Sequence, residues 1–367
     1  EIFNMATAVQ SRVRIHSPIH NLSYMNSVFD RQAVLRAIQD ARRRKTDSLN
    51  LNSKAIESLS EFEEIKDLTQ LRSLYLLCNK ISLIPPVLCQ LNSLTVLDLS
   101  SNQISEIPSD ISLLQNLSEL YLLNNKLSSL PDSLADLKKL RALGLSGNNF
   151  SSLPPVLLKL SQLEILWMNY NRLEEIPDEL FDALPKLSKL SLGYNKIRKI
   201  SHKVKNLQNL KSLMIRRNRL KYIPVEVLSI EGKTECDSNP FFSLSKDDTE
   251  QNSSGLTWED RGGVPMVSTL KELCYRAIGT KNIPMSKDVP KELSDYLSRS
   301  QRCSCCNGLM WRTNYNAITF NKSDFIDVTQ VPSLHRLCSN KCLQRIIKEQ
   351  DEVYPIEYFK KKKDNVQ

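Results

Sequence analysis

The sequence predicts an α/β chain: a solenoid of short parallel strands in tandem repeat, followed by a C-terminal part of different character. Three observations carry this. Leucine is concentrated, with 44 of the 56 leucines lying between Leu49 and Leu228. One spacing, LxxLxLxxNxL, recurs seven times within that stretch. Beyond Pro265 the spacing is lost and cysteines cluster, five of the nine falling between Cys303 and Cys342.

Composition removes several classes of function. The 367 residues carry a formal charge of +9, with 41% hydrophobic and 25% charged residues, as in ordinary globular proteins. That length suggests two or three domains. Only nine residues are glycine, and neither GxGxxG nor GxxxxGK[ST] occurs, which argues against a dinucleotide or P-loop site. No apolar run approaches the roughly 18 residues of a membrane-spanning helix, so no membrane partner is expected. The opening EIFNMATAVQ has no charged and apolar signal regions, Met5 is a candidate start, and residues 1–29 are expected to be disordered. Clustered cysteines without a secretion signal point to metal binding in the cytoplasm.

The first element is a helix over Asp30 to Lys45, with Ala33, Val34, Ala37, Ile38 and Ala41 on one stripe. Its other face is basic, from Arg31 and Arg36 to Arg44. With no aromatic residues interleaved, that face reads as a solvated N-terminal cap and nucleic acid is not an expected partner. A degenerate half-repeat, Leu49 to Ile56, comes next.

The full repeats begin at Leu71, Leu94, Leu117, Leu140, Leu163, Leu187 and Leu210. Their asparagines are Asn79, Asn102, Asn125, Asn148, Asn171, Asn195 and Asn218, spaced 23 or 24 residues apart. This is the leucine-rich-repeat signature. Each LxL is a strand too short to bury its own leucines, so stacking is what joins them into one core. Asn satisfies backbone groups at the turn, and the Pro that ends most repeats stops the strand; the sixth has Ser201 instead. The predicted form is a parallel β horseshoe over residues 30–243, closed by Cys236 to Phe241.

Period 2 sends the variable strand positions to the concave face. Tyr75, Leu77, Tyr121, Leu123, Trp167, Asn169, Tyr170, Tyr194, Met214 and Arg216 have the composition of a protein-binding hot spot there, and are the expected substrate-binding residues. As outward residues they are expected to add little to the core. Replacing Trp167 and Tyr121 with Ala is thus expected to leave stability nearly unchanged.

Residues 244–265 are polar and non-periodic, a linker. In 266–300, Thr269 and Glu272 form a capping box, and Leu270, Leu273, Cys274, Ala277 and Ile278 make one helical stripe. A second short helix starts at Pro290, with Val289, Leu293 and Leu297 on one face.

Here the chain resembles a known family. TLKELCYRAI matches the elongin-binding box (S/T)LxxxCxxxΦ of cullin-RING ubiquitin ligase receptors, through Thr269, Leu270, Cys274 and Ile278. VPKELSDYL is similar to the cullin 2 box ΦPxxΦxxxΦ, through Val289, Pro290, Leu293 and Leu297. Glu292 departs from the cullin 5 form LPxP. The resemblance covers nearly the whole chain from Asp30. It implies a substrate-recognition subunit in which the first helix enters elongin C, paired with elongin B, and the second selects cullin 2 over cullin 5.

In residues 301–346, Cys303-x-x-Cys306 and Cys338-x-x-x-Cys342 are two pairs separated by 31 residues, enough for one tetrahedral structural zinc in a zinc-ribbon-like module. Cys305 and His335 are alternative ligands. Five cysteines and one histidine are too few for a two-metal RING finger. Residues 347–367 form a basic tail whose run Lys360 to Lys363 adds the nucleus as a second location. No nucleophile–base motif is present, so no catalysis is expected. The alternative to the receptor is a non-catalytic signalling scaffold or adaptor.

Overall fold

The helix predicted at the start is α1 (Arg31–Arg44). Asp30 caps it, its carboxylate accepting from Ala33 N–H at 2.9 Å, and Lys45 ends it in the left-handed region at φ 51°. Three arginines in the last turn suit the negative end of the helix dipole. Val34, Ile38 and Ala41 are buried, while Arg31 pairs with Glu61 and Arg42 with Asp67 on the outside. The computed structural model describes residues 29–241 and, further on, 301–302, 304, 309–310, 315–321, 331–337, 340–349 and 353–355. The expected linker, both box helices and the basic tail beyond residue 355 lie outside the described residues. The chain divides into two compact units, Glu1–Asn149 and Phe150–Gln367.

In the first unit five three-residue strands pair in parallel and in register: β1 (Ser48–Asn50), β2 (Ser73–Tyr75), β3 (Val96–Asp98), β4 (Glu119–Tyr121) and β5 (Ala142–Gly144). Their central residues Leu49, Leu74, Leu97, Leu120 and Leu143 are all buried. The second leucine of each pair, such as Leu76, Leu99 and Leu122, is fully excluded from solvent. Each asparagine then stitches one repeat to the one before. Asn102 accepts from Ile81 N–H at 3.0 Å and donates to the carbonyls of Leu76 and Leu99, both at 2.9 Å. Asn125 and Asn148 repeat the pattern.

The returning segments are short 3-10 turns and one four-residue helix, α2 (Pro86–Cys89). Pro85, Pro108 and Pro131 stand at their caps in extended conformation, which ends the strand and begins the turn.

The second unit continues the same construction. Strands β6 (Ile165–Trp167), β7 (Lys189–Ser191) and β8 (Ser212–Met214) pair in parallel. A short helix α3 (Leu180–Ala183) and 3-10 turns lie between them. Where Pro is missing, the Ser201 side chain accepts from Lys203 N–H at 3.2 Å and serves as the cap.

After β9 (Ile223–Pro224), a further strand, β10 (Lys233–Glu235), pairs with β8 and leads into the expected closing segment from Cys236 to Phe241. Thr234 and Cys236 occupy its leucine positions and are buried, and Asn239 accepts from Leu220 N–H. The leucine spacing does not reveal β10, because TxC replaces LxL.

Toward the C-terminus, β11 (Gln301–Arg302) and β12 (Leu309–Met310) pair antiparallel. β13 (Tyr315–Asn321) pairs antiparallel with both β14 (Val331–Leu337) and β15 (Val353–Pro355), and helix α4 (Asn340–Glu349) packs on β13 and β14. On α4, Cys342, Leu343 and Ile346 are buried. The sheet extends to residue 355, past the expected end of the module at 346. Its far edge is not free: β14 pairs in parallel with β9, Ser333 opposite Ile223 and Leu334 opposite Pro224. Pro224 lacks an N–H and is tolerated because β9 is an edge strand of this sheet.

Candidate functional site

The strand positions that alternate with the leucines form the candidate interaction face. In the first unit Tyr75 and Leu77 are half-buried. Tyr121 and Leu123 are not solvent-facing: they are 2% and 7% exposed. Trp167 and Asn169 in the second unit, at 4% each, likewise correct the expectation of open, non-structural side chains. Alternation fixes the side of the sheet a residue takes, and large side chains there still pack on their neighbours. Gly144 shows this, because a Cβ at that position would meet Leu123 Cδ1 at 2.7 Å and Tyr121 Cδ1 at 3.2 Å.

Tyr121 Oη donates to Glu119 Oε2 at 2.6 Å, and Glu119 itself is buried. Burial first, and then this bond to a carboxylate, push the Tyr121 phenol far above its ordinary range. Asp98 on the neighbouring strand is also buried, which raises its carboxyl, although Ser100 N–H donates to it at 2.9 Å.

In the second unit Tyr170 and Tyr194 stack with ring centroids 4.0 Å apart and planes 18° from parallel. Arg216 Nη2 donates to Tyr194 Oη at 2.9 Å. The guanidinium carbons of Arg216 and Arg217 lie 5.2 and 5.3 Å from the centre of the Tyr194 ring. Burial and the neighbouring Tyr194 push the Tyr170 phenol up to about 12. The Tyr170 hydroxyl, with the two arginines, draws Tyr194 down. Glu235 lies 3.7 Å from Arg216 and also pairs with Lys233. Burial lowers the half-buried Lys189, with Glu235 opposing. Met214 is half-buried on β8, between Ser191 and Glu235 in register.

One set of positions escaped the alternation pattern. The residue before each ladder asparagine has positive φ: Cys78, Ser101, Asn124, Gly147, Tyr170, Tyr194, Arg217 and Ser238. Asn and Gly in two of these places are the hint in the sequence, since both tolerate that region.

No set of three or more metal-binding side chains gathers among the described residues. Cys342 lies in the first turn of α4, whereas Cys303, Cys306 and Cys338, and the alternative Cys305, lie outside the described residues. His335 is on β14, opposite Ala317. The elongin-binding residues Thr269, Leu270, Leu273, Cys274, Ala277 and Ile278 and the cullin-binding Val289, Pro290, Leu293 and Leu297 lie outside them too. Among the described residues no helix is long and apolar enough to cross a membrane.

The leucine rich repeat family profile matches residues 92–150 and 161–220. These segments are leucine-rich repeats. Among solved structures, the repeats are similar to an internalin from Listeria monocytogenes, at 22% identity over 59% of this chain and 72% of that one, TM-score 0.47. They are also similar to a chain of the octameric complex of Latrophilin 3, Unc5D and FLRT2, at 26% identity over 54% and 62%, TM-score 0.48. A leucine-rich-repeat protein of Leptospira interrogans matches at 23% identity over 52% and 72%, TM-score 0.39. Comparison with curated proteins found no match. Over these segments the chain has the leucine-rich-repeat construction, short parallel strands whose alternate side chains form one surface.

Proposed function

We propose that this chain is the substrate-recognition subunit of a cullin-RING ubiquitin ligase, capturing a protein on the repeat strands and joining elongin C through Thr269 to Ile278. One observation carries the reading: an elongin-type box and a cullin 2-type box stand in order, at residues 269–278 and 289–297, after a finished repeat array and its linker. Leu270 and Cys274 are four residues apart, hence on one face of a helix, and both can enter a single groove. Leu270→Ser with Cys274→Ser puts polar atoms into that groove at about 1 to 3 kcal/mol each. The double variant is therefore expected to lose elongin C and cullin from a pulldown. Changes at Val289 and Pro290 should spare elongin C and reduce cullin 2. The working location is the cytoplasm, with Lys360 to Lys363 offering nuclear import.

A structural zinc belongs to the proposal. The chemistry of four thiolates suits zinc, and described elements bracket each pair. In sequence β11 and β12 bracket Cys303 and Cys306, β14 and α4 flank Cys338, and α4 carries Cys342. Zinc would supply no open coordination position and no catalysis. The scaffold reading has one observation in its favour: β14 pairs with β9, as expected of a C-terminal part whose task is to close the repeats.

A further inference from the structure

Three successive repeats of the second unit place Tyr170, Tyr194 and Arg217 at the left-handed position that smaller residues, Cys78, Ser101, Asn124 and Gly147, occupy earlier in the chain. A tyrosine or arginine there gains nothing from the backbone, since only Gly and Asn take that region readily. Nor do these side chains build the core: the two tyrosines are half-buried and Arg217 is exposed. They make a ledge at the ends of the strands, two rings stacked at 4.0 Å with two guanidinium groups over the second. Lys189 and Lys233 lie one on each side of Ser212 in the strand register, and Arg216 stands on the same side of the sheet two residues beyond Met214. Glu235 is already engaged by both Arg216 and Lys233. Asp237 is a second negative charge near Arg216, but Arg217 makes no ion pair among the described residues, so Lys189, Lys233, Arg216 and Arg217 still outnumber Glu235 and Asp237 beside the flat apolar rings.

Resting on the reading of the repeat strands as the substrate-capturing surface, we infer that this ledge takes an acidic peptide segment of the captured protein, its carboxylates on Arg216 and Arg217 and its backbone or apolar side chains on Tyr170 and Tyr194. Charge complementarity selects the occupant. Guanidinium groups bind carboxylates through charge-assisted hydrogen bonds, and arginine with tyrosine is the composition of binding hot spots. A single-stranded nucleic acid fits less well. The two rings already stack on one another, leaving no gap for a base to insert.

The test uses the full chain and fluorescein-labelled peptides of alternating Glu and Ser, of Gln and Ser, and of Lys and Ser, with polarisation read at low and physiological salt. The Glu peptide is expected to bind best and to weaken with salt. Arg217→Gln, at an exposed side chain that does not hold the fold, should weaken it about tenfold. Arg217→Lys should recover part of the loss, and Tyr194→Leu should weaken binding at both salts. Lys199→Gln, on the exposed loop between β7 and β8, should change nothing. Equal binding of the Glu and Gln peptides, or equal losses at Arg217 and Lys199, would overturn the inference, the latter by revealing mere attraction to a basic protein. Tighter binding of an oligouridine than of the Glu peptide would overturn it in favour of nucleic acid. Elongin C retention, measured on the same preparation, reports separately on the ligase reading.

Discussion

Asn125 and its counterparts show how one residue can hold two repeats. Asn125 accepts from Ile104 N–H and donates to the Leu99 carbonyl, so it satisfies backbone atoms of neighbouring turns that water cannot reach. Asn125→Ala leaves at least one buried donor unmet, at about 1 to 3 kcal/mol, and urea unfolding should show a midpoint lowered accordingly. Tyr121 behaves as a core residue as well. Tyr121→Phe takes the donor from the buried Glu119 and should cost about 1 to 3 kcal/mol. Tyr121→Ala should cost about 3 to 5 kcal/mol in the same assay, against the small effect expected of an outward side chain. The leucines, asparagines and prolines were legible in the sequence because each has a side-chain property tied to its spacing. The left-handed positions were hinted at only by Asn124 and Gly147, since Cys78, Tyr170 and Arg217 share a backbone conformation and no side-chain chemistry.

At the scale of elements, the turn after β7 tests why proline recurs. Ser201 replaces proline there with φ −74°, an angle proline itself adopts, and caps the turn through its side chain. Ser201→Ala should lower stability by about 1 kcal/mol through loss of the cap. Ser201→Pro should recover much of that by restricting the unfolded chain. Thermal melts of the three proteins decide it. The N-terminal helix could be read from its stripe, but β10 could not, because Thr234 and Cys236 stand in for leucines. The pairing of β14 with β9 was beyond reach for another reason. It joins residues more than a hundred positions apart, and no local spacing records such a partner.

For the whole molecule, that pairing ties the C-terminal sheet to the last repeats within the second unit. If the four cysteines hold zinc, chelation should loosen this junction, and hydrogen exchange should rise at Ile223 as well as on β13 and β14. Metal analysis is expected to give about one zinc per chain, the capacity of a four-thiolate site. Zero would remove the site, and two would return the RING alternative. In the proposed function the repeat strands capture a protein and the two boxes deliver it to a ligase. The most direct test of that combination is co-purification of the wild-type chain with elongin B and elongin C expressed alongside it. The account predicts a stable stoichiometric complex that Leu270→Ser with Cys274→Ser abolishes; a wild-type chain that retains no elongin C would contradict it and leave the scaffold reading in its place.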